Sequence, residues 1–135
     1  MIIGKTLKAA ILIPYNSKKE ILLQLRDEEP EIDKWVCFGG KVEDREEVEE
    51  TLIREIKEEL DWDLTDEFEN VGIYSVSEVN PRELHVFAAR LENIDGLTLG
   101  EGKDLKFFGE EEIKDLPIGF NQKTIIIDFF NYLTS

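Results

Sequence analysis

The chain has a single cysteine, Cys37, so it can build neither an intrachain disulfide framework nor a thiolate zinc site. It has no apolar run long enough to span a bilayer. Lys5 and Lys8 interrupt the opening MIIGKTLKAAILIP, which therefore lacks the apolar core of a signal peptide. No repeat, low-complexity tract or linker divides it. Basic residues are scarce, 16 Lys and Arg against 31 Asp and Glu, for a net charge of −15. That field opposes nucleic-acid polymers and anionic membranes, which require a basic surface. A small anionic ligand stays compatible if a few cations or a metal neutralise it locally. The expectation is one domain over residues 1–135, in a soluble cytoplasmic protein.

With 41% apolar and 10% aromatic residues, the chain can bury a core. Residues 7–14 (LKAAILIP) and 19–26 (KEILLQLR) are bounded apolar runs around a Tyr15-Asn16-Ser17-Lys18 turn, which predicts a hairpin. A short strand at 35–38 runs into Gly39-Gly40. Further strands are predicted at 69–78, 83–91 and 105–108, with a turn at Asn80-Pro81. A brief helix from Glu110 stops at Pro117, and a final helix covers 121–133. Strands, a helix, more strands and a closing helix predict an α/β fold, a mixed sheet with a helix on either face.

Residues 40–62, GKVEDREEVEETLIREIKEELDW, carry more carboxylate than a structural helix needs. Asp44 and Glu47 have the spacing of a capping box. Leu52, Ile53, Ile56 and Leu60 form the predicted buried stripe. Glu55, Glu58 and Glu59 fall beside that stripe, at the rim between core and solvent. Like charges three and four apart repel by roughly 0.2–0.5 kcal/mol per pair. A cation among them turns that cost into binding, and oxygen-only ligands suit magnesium or manganese. Arg54 is placed to brace acidic neighbours by bidentate hydrogen bonds. Gly39-Gly40 permits close approach of a ligand to the main chain.

The order Gly40, five residues, Glu46, seven residues, Arg54-Glu55-Ile56-Lys57-Glu58-Glu59-Leu60-Asp61-Trp62 resembles the signature box of the Nudix hydrolases. Two positions depart from it. Asp61 stands where the family usually has a helix-ending Gly, and Phe38 where many members have Pro. The resemblance implies the family's α/β/α sandwich. It also implies magnesium-dependent hydrolysis of a nucleoside diphosphate linked to another group. Carried over by position, Glu55, Glu58, Glu59 and the Gly40 carbonyl match the metal site. Glu55 also matches the general base, Arg54 the residue that orients the carboxylates, and Glu46 a structural glutamate. Outside the box the likeness to mutator-type members suggests Glu101 as a further metal ligand. Arg26 would then face the phosphates and Asn121 would read the base. The expected substrate is a nucleoside triphosphate, oxidised or not, split to monophosphate and pyrophosphate. Nucleotide sugars, dinucleoside polyphosphates and a non-catalytic nucleotide sensor are the alternatives. A homodimer through an exposed strand edge is also compatible.

Overall fold

The computed structural model describes residues 7–65, 67–76, 82–100, 102 and 104–135. The Asn80-Pro81 turn and Glu101 lie outside them. The elements are β1 (Leu7–Tyr15), β2 (Ile21–Leu25), β3 (Trp35–Val36), β4 (Phe38–Lys41), α1 (Val48–Leu60), β5 (Phe68–Val76), β6 (Arg82–Arg90), β7 (Asp104–Phe108), α2 (Glu110–Ile113) and α3 (Lys123–Thr134). This is the mixed α/β sheet between helices that the sequence predicts.

β1 is the axis of the fold because its apolar run suits burial on both faces. Ala10 and Leu12 pack toward α1, with Leu52, Ile56 and Leu60. Ala9, Ile11 and Ile13 pack on the opposite face, with Ile125, Ile126, Phe129 and Phe130 of α3. β1 runs parallel to β6 from Leu7↔Arg82 to Tyr15↔Arg90. On its other side it pairs antiparallel with β4, from Ala9↔Lys41 to Leu12↔Phe38.

The predicted hairpin is only partly realised. Its turn forms, with Asn16 Oδ1 accepting the Lys18 and Glu20 N–H groups at 3.0 Å each. The strands then part, and β1 and β2 share a single register pair, Tyr15↔Ile21. β2 pairs instead with β7 from Ile21↔Phe108 to Leu25↔Asp104, and with β3. β1 gives its edge to β4, which carries the glycine pair against the sheet.

Helix α1 starts later than the Asp44–Glu47 spacing suggests. Glu47 is the N-cap, and the Glu50 carboxylate accepts its N–H at 2.8 Å. The buried face holds Val48, Thr51, Leu52, Ile56, Glu59 and Leu60, whereas Ile53 is exposed. At about 100° per residue, the buried arc runs from Thr51 to Leu60, and Ile53 falls just outside it, about 20° beyond Leu60. The same arithmetic puts Glu59 inside that arc, between Val48 and Leu52, so the helix aims a carboxylate into the molecule. Asp61 closes the helix in the left-handed region at φ 53°, as the usual glycine would, and its N–H donates to the Lys57 carbonyl at 3.0 Å. Lys57 Nζ reaches Asp61 at 2.8 Å and Asp63 at 3.0 Å, an ion pair that favours this ending.

Candidate active site

The site is built where β4 passes under the second half of α1. Gly39 has φ 145°, and a Cβ there would lie 2.0 Å from the Ala10 carbonyl oxygen, so only glycine lets β4 lie this close to β1. At Gly40 a Cβ would lie 2.5 Å from Glu55 Cδ. The second missing side chain therefore makes room for a carboxylate rather than for a strand.

The three acidic side chains of the box differ in burial. Glu59 is only 7% exposed, and its Oε2 accepts the Gly39 N–H at 3.0 Å. Gln24 Nε2 approaches Glu59 Oε1 and the Cys37 carbonyl at 3.4 Å each. Glu55 lies against Gly40 with its side chain 19% exposed. Glu58 faces outward, 59% exposed. The structure thus sets Glu55 and Glu59 beside the glycine pair, while Glu58 stands at the rim.

Arg54 ties these acids together. Its Nε donates to Glu46 Oε2 at 2.8 Å and its Nη2 to Glu46 Oε1 at 3.0 Å, a bidentate grip. Nη1 donates to Glu55 Oε1 at 2.9 Å and lies 3.7 Å from Glu58 Oε1. Glu46 also accepts the Thr51 hydroxyl at 2.6 Å. Hydrogen bonds from Arg54, then from Thr51, hold the Glu46 carboxyl down at about 2 against an ordinary 4.5. The Glu46 bonds in turn push the Arg54 guanidinium upward.

That depression links folding to pH. A carboxyl whose folded value lies below its unfolded one contributes stability above the unfolded value, and this is lost as pH falls toward the folded one. For Glu46 the window runs from 4.5 down to about 2. Glu92 is likewise held at about 2, by Arg90 and by the Ser17 N–H, and titrates in the same window. Glu46→Gln is therefore expected to flatten the acid limb of the stability curve. Urea midpoints at neutral pH and near pH 3 check this; an unchanged difference between them would remove Glu46 from the linkage.

Beside the carboxylates opens a cavity of about 300 Å³. Its apolar wall is Ala9, Ile11 and Leu84 of the sheet face turned toward α3. Glu59 and the glycine pair line it too, so the cavity reaches the Glu59 carboxylate and the strand against which Glu55 lies. Three cations, Arg26, Lys41 and Arg82, also line it, in a chain with 15 more acidic than basic groups. Arg26 lies over the Phe120 ring at 5.0 Å and donates from Nε to the Pro30 carbonyl at 2.8 Å. Phe120 holds a left-handed conformation, φ 53°, that costs a non-glycine residue on the order of 1 kcal/mol or more. Its ring stays 45% exposed at the cavity.

Asn121 follows in a second left-handed turn, φ 57°, and is exposed. The residue that reaches the cavity is its neighbour Gln122, the N-cap of α3, 7% exposed. Sequence reasoning missed Gln122, Gln24, Lys41 and Arg82. Gln24 left one trace, as the lone polar residue inside the apolar run ILLQL.

The donors beside the glycine pair are all oxygen. Among the described residues no three His, Cys, Asp or Glu side chains form a ready-made metal cage. Two carboxylates and a backbone carbonyl still fit magnesium, which characteristically completes its shell with water and substrate phosphates.

The sequence matches the NUDIX domain over residues 5–129. Comparison with curated proteins gives no significant match. Among solved structures the fold is similar to a MutT/nudix family protein from Enterococcus faecalis, with TM-score 0.81 and 20% identity over 99% of this chain; this chain spans 64% of that one. It is similar to the MutT protein of Methanosarcina mazei Go1, with TM-score 0.78 and 18% identity over 100% of this chain and 99% of that one. It is also similar to a C. elegans Ap4A hydrolase in a binary complex, with TM-score 0.72 and 22% identity over 96% and 98% of the two chains. At these identities the structural likeness concerns the fold. The domain match takes in the glycine pair, the acidic helix and every strand described, and the chain belongs to the Nudix hydrolase family.

Proposed function

We propose that this Nudix pyrophosphohydrolase splits a nucleoside triphosphate into a monophosphate and pyrophosphate. The observation that carries the reading is that one cavity is lined by Glu59, the glycine pair and three cations. An apolar wall suits a base, and Arg26, Lys41 and Arg82 suit a polyphosphate. Glu59 and Glu55 stand beside them, where an anhydride would lie. The cations also answer the charge problem, because they offset locally the field that repels anions elsewhere.

Gly40, Glu55, Glu58 and Glu59 are the proposed holders of magnesium, with manganese as a substitute; Glu101 is proposed as a further ligand. When bound, the ion supplies neutralisation of phosphate charge and polarisation of the anhydride. The chain's own groups do the rest. Glu55, its Oε1 anchored by Arg54, takes the proton as water oxygen bonds to phosphorus and the bridging P–O bond breaks. Glu59 is held in place by the Gly39 N–H. Arg54 keeps the acids from swinging apart, and Arg26 orients the phosphates.

A magnesium-supplemented screen of triphosphates, nucleotide sugars and dinucleoside polyphosphates tests this, with products resolved by chromatography. Monophosphate and pyrophosphate from a triphosphate are expected, with loss of turnover on chelation. Faster cleavage of a sugar or dinucleoside conjugate would overturn the substrate class. Tight nucleotide binding with no phosphate product would make the chain a binding module.

A further inference from the structure

We propose that Phe120 is a positioning residue for the phosphates and acts through Arg26: its ring holds the guanidinium at the cavity and leaves the N–H donors to the substrate. The inference deepens the nucleotide reading above and rests on its placement of Arg26.

Arg26 is a cation that needs holding. It follows the last residue of β2 and opens a loop that carries Asp27, Glu28, Glu29, Glu31 and Asp33 against one lysine, Lys34. Asp27 and Glu28 line a small hollow together with it. A carboxylate that captured the guanidinium would take two N–H donors at once, as Glu46 does with Arg54. An Arg held in that way has few donors left for a phosphate. The contacts of Arg26 are of another kind. The Pro30 carbonyl accepts its Nε–H at 2.8 Å, one of five N–H donors. The Phe120 ring lies under the guanidinium carbon, 5.0 Å from centroid to carbon. A ring face attracts a cation through its quadrupole and takes no in-plane N–H. It fixes the charge and leaves the Nη donors to a phosphate.

The ring stands on an anchored turn. The Gly119 N–H donates to the Trp35 carbonyl at 3.0 Å, and the Gln122 N–H to the Gly119 carbonyl at 3.1 Å. The Gln122 side chain accepts the buried Cys37 N–H at 2.8 Å. Between these anchors Phe120 keeps its left-handed φ of 53°, a strained conformation for a side chain of this size. Packing does not account for it, since Phe120 is exposed and belongs to neither apolar cluster of the core. What the strain achieves is an aromatic face beneath a cation, both of them lining the cavity that Glu59 and the glycine pair line.

Inorganic tripolyphosphate tests this, because it has the phosphates and no base. Its affinity is measured calorimetrically with calcium present. Phe120→Leu is expected to weaken it by about threefold or more, the scale of an exposed cation–π contact. Phe120→Trp keeps a ring and is expected to bind at least as tightly as the wild type. In an Arg26→Gln background, Phe120→Leu is expected to change nothing further, whereas a purely structural role would add its own loss. With magnesium, KM for purine and pyrimidine triphosphates is expected to rise by the same factor in Phe120→Leu. Undiminished tripolyphosphate affinity in Phe120→Leu, a loss confined to nucleotides, or additive losses in the double variant would overturn the inference and make the ring a platform for the base or a packing element. Should Phe120→Leu fail to fold, weaker binding by Phe120→Trp than by the wild type overturns it alone. Equal tripolyphosphate affinity in the wild type and Arg26→Gln, or none in the wild type, removes Arg26 from the phosphates, and this inference falls with that placement.

Discussion

Glu59→Gln is expected to lower kcat by about 10³-fold while the protein still folds. The substitution changes one atom in a carboxylate that the fold has sunk to 7% exposure. Glutamine still accepts the Gly39 N–H through its remaining oxygen. Its new NH2 then faces the Gln24 NH2, a mismatch worth on the order of 1 kcal/mol of stability. What disappears is the negative charge, and with it a hard anionic oxygen beside the phosphates. Single-turnover kinetics with magnesium, together with thermal melts, separate the two effects. Glu58→Gln is the companion. With a side chain 59% exposed, it is expected to cost turnover with almost no change in melting temperature. Wild-type rates in either variant would remove that residue from the metal site.

Gly39→Ala is expected to abolish the fold, at a cost of more than about 4 kcal/mol. The added methyl would lie 2.0 Å from the Ala10 carbonyl oxygen and 2.7 Å from Ile11 Cα, both backbone atoms of the central strand. No rotamer change can relieve such a clash, and alanine also resists φ 145°. The strands must separate, and the Ile11↔Gly39 pairing goes with them. Gly40→Ala makes the control. Its methyl meets the Glu55 side chain at 2.5 Å, and a side chain can swing away. That variant is expected to fold and lose activity. Circular dichroism and urea titration of both distinguish them, and a stable, cooperative Gly39→Ala protein would refute the strand argument.

The acidic helix was readable in the sequence because local periodicity determines it. Helix spacing puts Glu50 and Glu58 within reach of Arg54; in the structure it grips Glu46, which precedes the helix, and Glu55, and lies 3.7 Å from Glu58. The helix-ending role of Asp61 follows from the likeness to the box, not from spacing. What escaped depends on long-range pairing. Nothing in the alternation of 7–14 and 19–26 reveals that β2 prefers β7, since both partners are apolar and the choice is made by the whole sheet. Ile53 is apolar yet exposed, because it falls just past the edge of the buried arc that ends at Leu60. Thr51 takes a buried position through its bonds to Glu46 and to the Glu47 carbonyl. Asn121 and Gln122 are adjacent amides, and sequence gives no means of choosing between them. Two successive left-handed residues, Phe120 and Asn121, rotate the second amide inward and leave the first in solvent. Lys41 and Arg82 face the cavity only because β4 and β6 flank β1.

The lone cysteine carries a practical consequence. Burial pushes the Cys37 thiol up to about 12, so at neutral pH it holds its proton and is a poor nucleophile. Folded protein should resist alkylating reagents and mild oxidants, and a fluorophore meant for thiols would report unfolding instead of decorating the native molecule.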